Sequence, residues 1–149
     1  MAQVTVTAQR VVRGSVDQVR AALADYQTVR PKILTPHYSD YHVLAGGQGP
    51  GSEVSWKLAA TEKRVRDQVL DVASPDGTTL VESDRNSSMV TTWTVRPGEG
   101  ADRCTVEVHT TWNGAGGIGG FFERTFAPAG LRRIYDGVLT NLDNVLQRS

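Results

Sequence analysis

Sulfur chemistry is nearly missing from this chain, which has one cysteine, Cys104, and two methionines. A lone cysteine forms no internal disulfide and fits a reducing, cytoplasmic setting. Histidine is also scarce. His37, His42 and His109 stand at no metal-ligand spacing, and no H-E-x-x-H occurs, so neither a metal nor any other cofactor is expected. G-x-S-x-G is absent, which removes the exposed serine nucleophile that motif presents. Neither sign of charge is in excess, with Lys+Arg and Asp+Glu at 16 each. The electrostatic case for nucleic acid or an anionic membrane is therefore missing. No apolar run approaches the ~20 residues that span a bilayer. The opening Met1-Ala2-Gln3-Val4-Thr5-Val6 alternates like a strand and lacks the basic head and apolar block of a signal peptide.

What is present is a sizeable apolar fraction, 39% of 149 residues, enough for one domain over 1–149 with a real core. Its clearest pattern is at the C-terminal end. Leu131, Ile134, Tyr135, Val138, Leu139, Leu142, Val145 and Leu146 recur at the spacing of one helical face. Arg132, Arg133, Asp136, Asn141 and Asp143 occupy the other face. A helix of that length is a rod of roughly 25 Å. Its apolar stripe must be covered, and almost everything before it reads as strands, so it is expected to lie on a sheet.

The rest of the chain supplies that sheet. Val4, Val6 and Ala8 alternate with threonines in a first strand ending near Val12, and Gly14 stops it. Ser15 with Gln18 three residues on forms a capping-box start for a helix over 16–25. A second short helix is expected over 28–34, with Pro31 in its first turn and Pro36 beyond its end. Period-two runs then follow over 38–44, 53–60, 62–73, 78–84, 88–96 and 103–113, separated by turn residues such as Pro75-Asp76-Gly77. Such short connections make neighbouring strands antiparallel.

Several stretches in this order carry a resemblance. They are Ser15-Val16-Asp17-Gln18-Val19, Gly51-Ser52-Glu53-Val54-Ser55-Trp56, Thr92-Trp93-Thr94-Val95 and Gly119-Gly120-Phe121-Phe122-Glu123-Arg124. Taken together, and over essentially the whole chain, the sequence resembles the START-like (SRPBCC) superfamily, with its polyketide cyclase/dehydratase and lipid-transport family. The resemblance implies an α+β helix-grip fold: a curved antiparallel sheet of about seven strands around a long C-terminal helix, with two short helices after the first strand. It also implies a cavity between sheet and helix for a lipid, polyketide or other apolar molecule. Fold alone leaves the activity open.

Site candidates follow from phase. If Val54, Val95 and Val108 point inward, so do Trp56, Trp93 and Trp112, and a buried indole N–H needs a partner. With Met89, Val108, Tyr135 and Leu139 they are expected to line the ligand site, under a lid that includes Phe122 and Phe126. A packed core uses the same residue types. Catalytic candidates are Tyr135, His37, Tyr26 and Glu82, and no pair among them is forced by spacing. The phase of Glu82 is ambiguous, His109 falls on the outer face, and Arg64-Val65-Arg66-Asp67 reads as a solvated strand face. Gly114-Ala115-Gly116-Gly117-Ile118-Gly119 matches G-x-G-x-x-G, but no parallel strand pattern follows the helix after it, so it reads as a glycine hinge at a cavity entrance. Pro128 and Gly130 predict a break in the helix near 127–130. The expected function is binding of a hydrophobic or aromatic small molecule as carrier or sensor. The alternatives are a polyketide cyclase or dehydratase in the same cavity, and a protein-interaction module whose core has closed.

Overall fold

The computed structural model describes residues 3–61, 64–113 and 128–148. The elements run β1 (Gln3–Arg13), α1 (Val16–Ala24), α2 (Arg30–Ile33), β2 (Tyr38–Ala45), β3 (Glu53–Thr61), β4 (Arg64–Ala73), β5 (Leu80–Asp84), β6 (Val90–Pro97), β7 (Arg103–Asn113) and α3 (Pro128–Gln147). All seven strands form one sheet in the order β1-β7-β6-β5-β4-β3-β2. Every neighbouring pair is antiparallel. This is the helix-grip arrangement expected from the sequence. The inner face follows the alternation: Cys104, Val106, Val108, Thr110 and Trp112 of β7 are buried, as are Thr91, Trp93 and Val95 of β6.

Helix α3 closes that face with the predicted stripe, from Leu131 to Leu146. Two polar side chains help set its position. Asp143, held beneath the surface, accepts from the Arg13 amide at 3.3 Å and pairs with Arg10 of β1 at 3.4 Å. Asn141 donates to the Ile33 carbonyl at 3.0 Å and so ties α3 to α2. Gly137 is needed where α3 passes the segment after α2, because a Cβ there would stand 2.9 Å from Thr35 Cγ2.

The boundaries differ from expectation wherever a side chain competes for backbone donors. Ser15 caps α1 as predicted, accepting from the Gln18 amide at 3.1 Å. The second helix begins only at Arg30, because the Asp25 carboxylate takes the amides of Gln27 and Thr28 into a turn. Likewise Asp76 takes those of Thr78 and Thr79, so β5 starts at Leu80 rather than Thr78. Of the expected break near 127–130, only 128–130 falls within the described residues, and no break occurs there. Pro128 is the first residue of α3 and Gly130 lies within the helix. At that first position the missing N–H has no helical partner to lose. Ala127, the glycine motif at 114–119, Phe122 and Phe126 lie outside the described residues. The solvated-face reading of β4 needs a change as well. Val65 is 48% exposed, while Arg66 shares the inner phase of buried Gln68, Leu70 and Val72.

Candidate functional site

Under α2, between β3–β6 and α3, the inner face carries charge. Glu82 points inward and is 2% exposed, which decides the phase that the sequence leaves open. Three donors converge on its carboxylate. Tyr26 Oη donates at 2.6 Å and Trp93 Nε1 at 2.9 Å. Arg30 Nη1 pairs with it at 2.9 Å, with both side chains 2% exposed. The Arg30 guanidinium lies between two aromatic faces, 4.7 Å from the Tyr26 ring centroid and 4.8 Å from that of Trp93. It also donates to the Leu23 carbonyl at 3.1 Å. Arg30 Nε is buried with no acceptor among the described residues.

A second polar group lies beside the first. Trp56 Nε1 donates to Gln68 Oε1 at 2.8 Å. The Gln68 amide nitrogen reaches Met89 Sδ at 3.1 Å and Asp84 at 3.4 Å. Tyr38 meets Trp56 edge-on and Tyr41 stacks on it, with centroids 5.4 and 6.1 Å away. On the α3 side, Thr91, Thr110 and Tyr135 form a hydroxyl chain with steps of 2.8 and 2.6 Å. Arg30, Trp56, Glu82, Met89, Trp93 and Tyr135 all face one interior cavity of about 20 Å³. That is room for about one water molecule.

Burial governs the protonation of this region. It pushes the Tyr135 hydroxyl up to about 12, against the opposing effect of its Thr110 bond. Tyr26 is raised further, by burial and then by the Glu82 charge. Tyr38 is raised by burial as well. Burial pulls the Arg30 guanidinium down, but Glu82 outweighs it and the net shift is upward. Near neutral pH the cavity therefore presents protonated phenols and a charged guanidinium.

The predicted site residues separate into three groups. Trp56, Glu82, Met89, Trp93 and Tyr135 line the cavity, and Tyr26 stands behind Glu82, donating to its carboxylate. Val108, Trp112 and Leu139 are packed in the core at 0–1% exposure, away from the cavity lining. His37 is exposed on the segment between α2 and β2, where its Nδ1 is 2.8 Å from Thr35 Oγ1. His109 is on the outer face, 2.8 Å from Thr7 across the β1–β7 pair. Sequence reasoning misses Arg30 and Gln68. Each leaves a signal: Arg30 stands one helical turn before buried Ile33, and Gln68 shares the phase of Leu70 and Val72.

A family model described as polyketide cyclase / dehydrase and lipid transport matches residues 3–147. The chain belongs to that family. Among solved structures it is similar to the KanY protein, studied in solution by NMR, with 51% identity over 99% of both chains and a TM-score of 0.87. A START superfamily protein from Mycobacterium smegmatis is 10% identical over 97% of both chains, with a TM-score of 0.71. The Zhui aromatase/cyclase from Streptomyces sp. R1128 is 15% identical over 99% of this chain and 95% of that one, with a TM-score of 0.69. The last two similarities are of fold. No curated protein matches the chain significantly.

Proposed function

We propose that this protein binds a hydrophobic or aromatic small molecule, of lipid or polyketide class, in the cavity between the sheet and α3, as a carrier or sensor. The observation that carries this reading is the Arg30–Glu82 pair in the cavity wall, flanked by Tyr26 and Trp93. A buried ion pair adds little stability compared with apolar packing. Its presence there is accounted for by recognition: a ligand oxygen meets the guanidinium while the ligand's apolar body meets Trp56, Met89 and Trp93. The family groups cyclases with lipid carriers. Binding fits better than turnover, because the three donors on Glu82 leave it poorly placed as a base. A cavity of about 20 Å³ is far smaller than ligand sites usually are. Binding therefore requires the cavity to widen, so the ligand selects an opened minor state.

The same volume favours a second reading, the interaction module with a closed core. One experiment separates the two. Mass spectra of the purified protein under native and denaturing conditions are compared, and tryptophan fluorescence is titrated with a fatty acid and with an anthraquinone. A retained mass lost on denaturation, or saturable quenching weakened by Trp93→Phe and Tyr135→Phe, is the expected result. If both variants fold and keep full affinity, the site is elsewhere. No retained mass and no fluorescence response favour the closed module.

A further inference from the structure

A second concavity opens on the other side of Trp93. Helix α1, Pro50 and the β4–β5 turn surround a pocket of about 140 Å³, floored by Leu23, Leu80, Trp93 and Val95. An apolar cavity of about 150 Å³ is known to accept a benzene ring, so this pocket has room for one ring. It also has one cationic wall, Arg20. Among the described residues the Arg20 side chain has a single hydrogen bond, a long one of 3.4 Å from Nη2 to the Val95 carbonyl. Its Nε is buried with no acceptor among those residues. No carboxylate pairs with it among the described residues, whose ion pairs join other groups. Asp76, the acidic residue of the neighbouring turn, is turned away: its Oδ1 takes the amides of Thr78 and Thr79 and the Thr79 hydroxyl, each at 2.9 Å.

An unpaired, partly desolvated guanidinium beside a ring-sized apolar floor is half of a recognition site. We infer that this pocket is a binding site for a small aromatic carboxylate, separate from the interior cavity. The carboxylate pairs with Arg20 and the ring lies on Leu80 and Trp93. Thr78 and Thr79 edge the mouth, where a ring hydroxyl or ether oxygen would sit. Trp93 is the common wall, since it lines both this pocket and the interior cavity. A ligand in the outer pocket therefore reports on the indole that holds Glu82, without entering the interior.

The test is an amide and indole NMR titration of the full chain with benzoate, with benzamide as the neutral isostere at matched ionic strength. The expected result is saturable shifts at Gly77, Thr78, Leu80 and the Trp93 indole, with benzamide weaker by about tenfold or more, as loss of one charge-assisted contact implies. Arg20→Gln should weaken benzoate by a similar factor. Equal affinity for the two probes, or no saturable shift at tens of millimolar, overturns the proposal. Shifts centred on Met89, Trp56 and Tyr135 overturn it too, by placing benzoate in the interior; that outcome would leave the reading of the interior cavity standing. If Arg20→Gln fails to fold, the comparison of the two probes on the native chain still decides.

Discussion

The interior has two halves of equal burial and unlike composition. Where β7 meets α3, Val106, Val108, Trp112, Leu139 and Leu142 are all 0–1% exposed. Under α2, Arg30, Gln68 and Glu82 are each 2% exposed. Both halves are sealed from water, yet the physics differs. Each buried aliphatic side chain of the first half contributes roughly 1.5–3 kcal/mol. In the second half the cost of desolvating two charges largely cancels their attraction. The ion pair therefore adds little to the stability that apolar burial supplies, and of the two halves the α2 half has the makings of a site. The hydroxyl chain from Thr91 to Tyr135 is the seam between them.

Breaking the ion pair is the sharpest way to test this contrast. Glu82→Gln removes the carboxylate paired with Arg30 and leaves a buried cation, which should cost about 3–5 kcal/mol in urea unfolding. The double variant Arg30→Met/Glu82→Leu replaces both charges with apolar groups and should recover most of that loss while abolishing ligand binding. If the double variant is as unstable as Glu82→Gln, the pair is a structural element and the contrast fails.

A cut in the other half should give the opposite pattern. Leu142 is fully buried on α3, and Leu142→Ala should cost about 2–5 kcal/mol through lost burial and the cavity it leaves. The fraction that remains folded should bind ligand with nearly unchanged affinity. An affinity loss as large as that of the double variant would mean that the halves form one site.

The sequence reveals the first half more readily than the second, for a physical reason. Apolar periodicity reports which side chains avoid water, and that is all the β7–α3 half requires. The stripe from Leu131 to Leu146 and the alternation of β7 are therefore legible, as is the inward phase of the three tryptophans. Arg30 shares a helical face with Ile33, but nothing within its own short helix shows that Glu82, 52 positions away, awaits its charge. Glu82 is undecidable for the converse reason: on β5, Leu80 and Val81 point to opposite faces, so either phase has an apolar residue to support it. Gln68 shares its phase with apolar neighbours, yet the general preference of polar residues for water argues against placing it inside. Element ends move where Asp25 and Asp76 divert backbone donors, which depends on local turn geometry that hydrophobic pattern does not encode.

The mildest perturbation uses alkali rather than substitution. All four tyrosines, Tyr26, Tyr38, Tyr41 and Tyr135, are raised above their ordinary value. For Tyr135, on the seam, the pKa goes from 10.0 to about 12. Between those values the unfolded chain has released a proton that the folded chain keeps, so folding takes up a proton and stability falls as pH rises. The contribution is fully present below pH 10 and lost toward pH 12. The fall is on the order of a few kcal/mol, since each tenfold difference in proton affinity is worth about 1.4 kcal/mol. Urea midpoints across that range should decline less steeply in Tyr135→Phe than in the native chain. Phenolate absorbance should stay flat near pH 10 and rise only as far-ultraviolet dichroism is lost. Ionisation of Tyr26 or Tyr135 near the ordinary value while the fold persists would show that water already reaches the buried rings. In that case the interior would be open at rest, and the α2 half would hold a preformed cavity rather than one that a ligand must select.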